Sequence, residues 1–95
     1  MKIEWTLLAL KDLKHIHGYI HEDNPQAAVS VLAAIRRATR GQLNTSPQSG
    51  RSGRVKDTRE LVIPGLPYFV AYRVPSSKIQ ILRVLHGAQC WPETL

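Results

Sequence analysis

The spacing of apolar residues changes period halfway along this chain, and that change limits the possible folds more than any other feature. Leu7, Leu10, Leu13, Ile16 and Ile20 recur at intervals of three and four, the repeat of one helix face. From residue 59 onward the repeat is two, as in strands whose side chains point to opposite faces in turn. Helices gathered in one half and strands in the other specify the α+β class, because the strands pair with sequence neighbours and the helices cover the sheet.

The breaks between these runs set the element order. Residues 2–6, Lys-Ile-Glu-Trp-Thr, alternate polar and apolar and predict a short edge strand. The first helical run stops at Asp23-Asn24-Pro25. There Asn24 can cap a second helix, and Pro25 can occupy its first turn without losing a hydrogen bond. That helix is expected over about residues 25–43, with Ala28, Val31, Leu32, Ile35 and Ala38 buried. Arg36, Arg37 and Arg40 then fall in its last turns, at the negative end of the helix dipole. Thr45-Ser46-Pro47-Gln48-Ser49-Gly50 predicts a loop. Strands follow at 59–63, 68–74 and 79–86, joined by turns short enough to make neighbours antiparallel.

The expected architecture is therefore β-α-α-β-β-β, an antiparallel sheet packed against a helix hairpin, in one domain over residues 1–95 without repeats. Strand by strand, alternation places Arg59, Leu61 and Ile63, Phe69, Ala71 and Arg73, and Ile79, Ile81, Arg83 and Leu85 together. Glu60 and Val62, Tyr68, Val70, Tyr72 and Val74, and Gln80, Leu82, Val84 and His86 take the opposite face. Both sets are largely apolar, so alternation does not say which one meets the helices.

Composition excludes several function classes. An apolar fraction of 43% suits a small globular core, and no window approaches the roughly 18 apolar residues of a membrane span. The acidic Glu4 interrupts the start where a signal peptide needs an apolar run, and Cys90 alone can form no internal disulfide. A cytoplasmic protein is expected, with no membrane partner. The net charge is +6, and it is uneven. Residues 1–48 hold six bases and four acids, a net of +2, whereas residues 49–95 hold seven and three, a net of +4. Arg51, Arg54, Lys56 and Arg59 supply most of that second excess and form a candidate surface for an acidic partner.

Other constellations carry less. His17 and His21 share a helix face, but His15 points elsewhere and no Cys or acid completes a metal set, so no metal site is expected. Cys90 beside Trp91 and Pro92 lacks a nucleophile signature, and Gly50-Arg51-Ser52-Gly53-Arg54 lacks the pattern of a phosphate loop. No cofactor is expected. His86, ending the last strand, is the side chain best suited to titrate near neutrality.

Trp5, Ala9, Asp12-Leu13, Ile16 and Tyr19-Ile20, followed by Asn24-Pro25-x-Ala27-Ala28, resemble the opening of the RelE/ParE superfamily of bacterial toxins. Pro47-x-x-Gly50-Arg51, Thr58-Arg59-Glu60-Leu61-Val62, Pro67-Tyr68, Ala71-Tyr72-Arg73-Val74 and Ile81-Leu82-Arg83-Val84-Leu85-His86 continue the resemblance over nearly the whole chain. It implies the toxin of a type II toxin–antitoxin module, with a microbial-ribonuclease-like fold, neutralised by a cognate antitoxin. Members resembling RelE cut mRNA on the ribosome, and those resembling ParE are associated with poisoning DNA gyrase.

If the chain were such a ribonuclease, His86 would serve as acid or base, Glu60 as base, and Arg59, Arg73 and Arg83 as clamps on the phosphorane. The resemblance also implies that ribonuclease members carry Arg as the second residue of the strand beginning Tyr68-Phe69. Phe69 departs from that pattern, and the ParE-like branch is favoured. A third reading is a degenerate toxin that only binds its antitoxin, in plasmid maintenance or promoter autoregulation.

Overall fold

The computed structural model describes residues 1–87; Cys90, Trp91 and Pro92 lie outside the described residues. Strand β1 (Lys2–Trp5) leads into helices α1 (Leu7–His21) and α2 (Pro25–Thr45). Then come β2 (Arg51–Ser52), β3 (Arg59–Val62), β4 (Tyr68–Arg73) and β5 (Lys78–His86). The five strands form one sheet in the order β1-β5-β4-β3-β2. The α+β class and the helix hairpin on a sheet agree with the sequence, as do the antiparallel pairings of β3, β4 and β5.

The edge strand changes the sheet from wholly antiparallel to mixed. β1 runs parallel to β5, with Ile3 opposite Ile79 and Trp5 opposite Ile81. A parallel pair needs a long connection, and the helix hairpin and intervening strands provide it. The two-residue β2 is a further addition, where Arg51 and Ser52 pair with Glu60 and Arg59.

Helix α1 is fixed to this edge by two polar side chains. Thr6 caps the helix by accepting the Ala9 N–H at 3.3 Å, while its own hydroxyl reaches Ile81 O at 2.8 Å and Leu82 O at 3.2 Å. The Thr6 N–H also donates to Ile81 O, continuing the β1–β5 ladder by one residue. Beyond that point no strand among the described residues continues along this side of β5, and Asp12 takes over. Its carboxylate accepts the Val84 N–H at 2.9 Å and both Nε and Nη2 of Arg83, at 2.7 and 2.9 Å. This pair holds the Arg83 guanidinium above its ordinary pKa.

These anchors rotate α1 away from the expected stripe. Positions 9, 12, 13 and 16 now face β5, so Ala9 and Leu13 are buried and Ile16 is half-buried. Leu7, by contrast, is 77% exposed and Leu10 is exposed too. Helix α2 buries Ala28, Ile35, Thr39 and Leu43. It continues to Thr45, two residues past the expected end, so its last turn contains no base. Arg36 lies instead over the Trp5 ring, 5.4 Å from its centroid, a cation–π contact.

Directly opposed residues share a face, so the register assigns the sheet surfaces. Leu61 opposes Val70, Val70 opposes Val84, and Tyr72 opposes Arg59 and Ile81. The core face therefore draws from both sets that strand-by-strand alternation grouped together. A register shift between Ala71 and Tyr72 moves the β5 partner from Arg83 to Ile81, leaving Leu82 as the extra residue. This bulge turns the Val84 N–H toward Asp12.

Tyr72 is fully buried, and its hydroxyl ties down the segment leaving α2. It accepts the Gly50 N–H at 2.9 Å and donates to Pro47 O at 2.8 Å. A Cβ at Gly50 would come within 2.6 Å of that hydroxyl and 2.9 Å of Glu60 O, so only glycine fits.

Substitutions at these contacts should be felt in stability. Asp12→Ala leaves the Val84 N–H and a mostly buried Arg83 without their acceptor, and should cost about 2–3 kcal/mol in urea denaturation. Asp12→Ala with Arg83→Ala should cost little more than Asp12→Ala alone, because the partners act as one unit. Tyr72→Phe should cost about 1–2 kcal/mol through the unsatisfied Gly50 and Pro47 groups. Gly50→Ala should cost more, since it must displace Tyr72.

Candidate functional site

The segment pinned by Tyr72 and the loop after β2 enclose an open basin of about 740 Å³, with Lys56, Arg59 and Arg73 on its walls and Gln48, Asp57 and Thr58 between them. Local backbone constraints shape it. The Thr58 hydroxyl donates to Val55 O and the Gly53 N–H to Thr58 O, closing a tight loop in which Asp57 adopts a left-handed φ of 65°. Asp tolerates that conformation better than most residues.

The basic cluster expected from sequence is only partly free. Arg51 Nε donates to Glu60 Oε1 at 2.7 Å, with the Glu60 side chain 9% exposed. Arg59 Nη1 donates to Gln48 O at 3.0 Å and Gly50 O at 2.9 Å, so this cation also braces the segment held by Tyr72. Arg54 and Lys56 are exposed and have no ion-pair partner among the described residues. Of the four, Lys56 and Arg59 reach the basin, where Arg73 from β4 joins them.

The groups considered for RNA cleavage lie in different places. Arg59 and Arg73 share the basin, whereas Glu60 is held by Arg51 and Arg83 by Asp12. Arg73 Nε donates to Gln80 Oε1 at 2.6 Å, and Gln80 Nε2 donates in turn to Glu4 Oε1 at 3.0 Å. Gln80, helped by Lys78, holds the Glu4 carboxyl below its ordinary pKa. His86 sits at the other end of β5, opposite Tyr68 and edge-on to its ring at 5.7 Å. Phe69 is buried, opposed to Leu85 on one side and Val62 on the other.

The sequence did not reveal the partnership of Asp12 with Arg83, separated by 71 positions. Of the remaining histidines, His17 and His21 stack with ring centroids 5.4 Å apart. Among the described residues no group of three or more His, Cys, Asp or Glu side chains is placed to hold a metal ion. Among them too, no helix is long and apolar enough to cross a membrane.

Residues 3–91 match the family model described as the ParE toxin of the type II toxin–antitoxin system, parDE. A putative toxin of Sinorhizobium fredii, Y4kP, is 47% identical over 94 residues, 99% of this chain and 96% of that protein. The toxin RelE2 of Caulobacter vibrioides is 31% identical over 88 residues, covering 93% of this chain and 97% of its own. In three dimensions, a structure described as the chromosomal ParDE toxin–antitoxin system of P. aeruginosa superposes with a TM-score of 0.83 at 27% identity. It covers 90% of this chain and 95% of that one. Sequence and fold thus lead to one assignment: the chain belongs to the ParE toxins of type II toxin–antitoxin systems.

Proposed function

We propose that this toxin arrests growth by poisoning DNA gyrase, and that it does not cut mRNA. The observation that carries this reading is the dispersal of the groups RNA cleavage would use. Acid and base must both reach one phosphodiester. His86 opposes Tyr68 while Glu60, the candidate base, opposes Ala71, three residues along β4, about 10 Å away at the rise of a strand and on the other face of the sheet. Glu60 and Arg83 are engaged by Arg51 and Asp12. Phe69 adds an apolar side chain where the resemblance gives ribonuclease members a cationic clamp. One observation favours the alternative, a ribosome-dependent mRNA endoribonuclease: the Caulobacter relative is named RelE2.

A cognate antitoxin is the expected protein partner, in keeping with the toxin–antitoxin system to which the P. aeruginosa structure belongs. The basin suits the target instead. Lys56, Arg59 and Arg73 present positive charge around a concave surface on which Asp57 is the one acid among the described residues, which favours an acidic region of a large partner.

The purified toxin should block gyrase supercoiling in vitro and leave translated mRNA intact on the ribosome. Ribosome-dependent cleavage that disappears in His86→Ala would overturn this reading in favour of the nuclease. Arg54→Glu with Lys56→Glu should leave the fold unchanged and reduce gyrase inhibition several-fold at low ionic strength, with the gap closing as salt screens the charges. Arg51→Glu should behave differently. It sets a second carboxylate against the buried Glu60 and should lower thermal stability as well.

A further inference from the structure

We infer that Gln80, with Glu4 behind it, is a positioning residue for target engagement, aiming the Arg73 guanidinium so that one fork of donors is presented to the basin. This inference rests on the gyrase reading above. The register sets the three side chains in a row, since Glu4 opposes Gln80 on β5 and Gln80 opposes Arg73 on β4. Directly opposed residues share a face, and Tyr72, the neighbour of Arg73, points into the core. The row therefore crosses the face of the sheet turned away from the helices, from the β1 edge to the wall of the basin.

Each hydrogen bond in the row fixes the next. An ionised carboxylate can only accept, so Glu4 Oε1 takes the Nε2 donor of Gln80 at 3.0 Å, while Oε2 takes Lys78 Nζ at 3.4 Å. The Gln80 amide is thereby turned with its carbonyl oxygen toward Arg73, where Oε1 accepts from Nε at 2.6 Å. Glu4 keeps its charge, and so its hold on the amide, because Gln80 and Lys78 lower its pKa. Fixing Nε leaves the Nη1–Nη2 end of the planar guanidinium, which has no partner among the described residues. That end is a fork matched to a carboxylate of the acidic surface inferred above.

The other two cations of the basin are less suited to this task. Arg59 Nη1 is engaged by the Gln48 and Gly50 carbonyls, and Lys56 offers a point charge from an exposed loop. Stability alone is a weak reason for the row. Arg73 is exposed, with Glu4 and Gln80 half-buried, and surface pairs of this kind add little. The larger consequence lies in docking, where a long side chain that is already ordered loses less freedom.

The test is inhibition of gyrase supercoiling by titrated toxin, with melting temperature measured in parallel. Gln80→Leu keeps the bulk and removes both hydrogen bonds. It should raise the toxin concentration that halves supercoiling roughly fivefold, the range carried by ordering one long side chain. Glu4→Leu, at the far end of the row, should shift it in the same direction by less. Arg73→Lys keeps the charge but loses the fork, and should cost at least as much as Gln80→Leu. Combined with Arg73→Ala, Gln80→Leu should add almost nothing, because it acts through the residue already removed. A Gln80→Leu toxin that inhibits as wild type does overturns the inference. So does a Gln80→Leu loss that persists in full in the Arg73→Ala background, since that reports a structural role. Should Gln80→Leu melt well below wild type, Glu4→Leu and its combination with Arg73→Ala decide by the same two criteria. Wild-type toxin that leaves supercoiling untouched overturns the gyrase reading, and this inference with it.

Discussion

The carboxylate of Asp12 decides how the helical half of this protein meets its sheet. Where β1 ends, β5 is left with a main-chain donor at Val84 and no strand to receive it. Asp12 receives that donor from one turn into α1, and its charge is balanced by Arg83. An unpaired donor or an uncompensated charge at this half-buried seam would be costly, so the interaction admits one rotation of α1. That rotation buries Ala9 and Leu13 and leaves Leu7 exposed.

A second polar anchor organises the opposite side of the sheet. Tyr72 fills the core between β4 and the helices, and its hydroxyl holds Pro47 and Gly50. Because this segment is held, Arg59 can brace its Gln48 and Gly50 carbonyls and still face the basin. Of the cations around the basin, Lys56 stands on a tight loop, while Arg59 and Arg73 project from strands. The strand residues lose less freedom on docking than residues on an unstructured loop would.

The two edges of the sheet thereby acquire different characters. The β2–β3 side offers charge around an open concavity. The β1 side has no further strand among the described residues, and beside it lie an aromatic floor and a cationic rim. The first suits a large acidic surface.

The α+β class, the helix hairpin and the antiparallel order of the last three long strands were determined by sequence alone, because apolar period and turn residues act over a few neighbouring positions. Asn24 and Pro25 marked the start of α2 for the same local reason, and that N-cap is as expected. Tertiary structure decided the rest. Alternation was right within each strand, but phase between strands depends on register, and one bulge at Leu82 changed which residues face the core. The rotation of α1 followed from Asp12, Arg83 and Val84, whose distance in sequence hides their contact. The basic cluster was legible as composition, yet only pairing showed that Arg51 is tied to Glu60 while Arg73 joins Lys56 and Arg59. Patterns that arise between adjacent residues can be read from the chain, whereas contacts across some 70 positions exist only once it has folded.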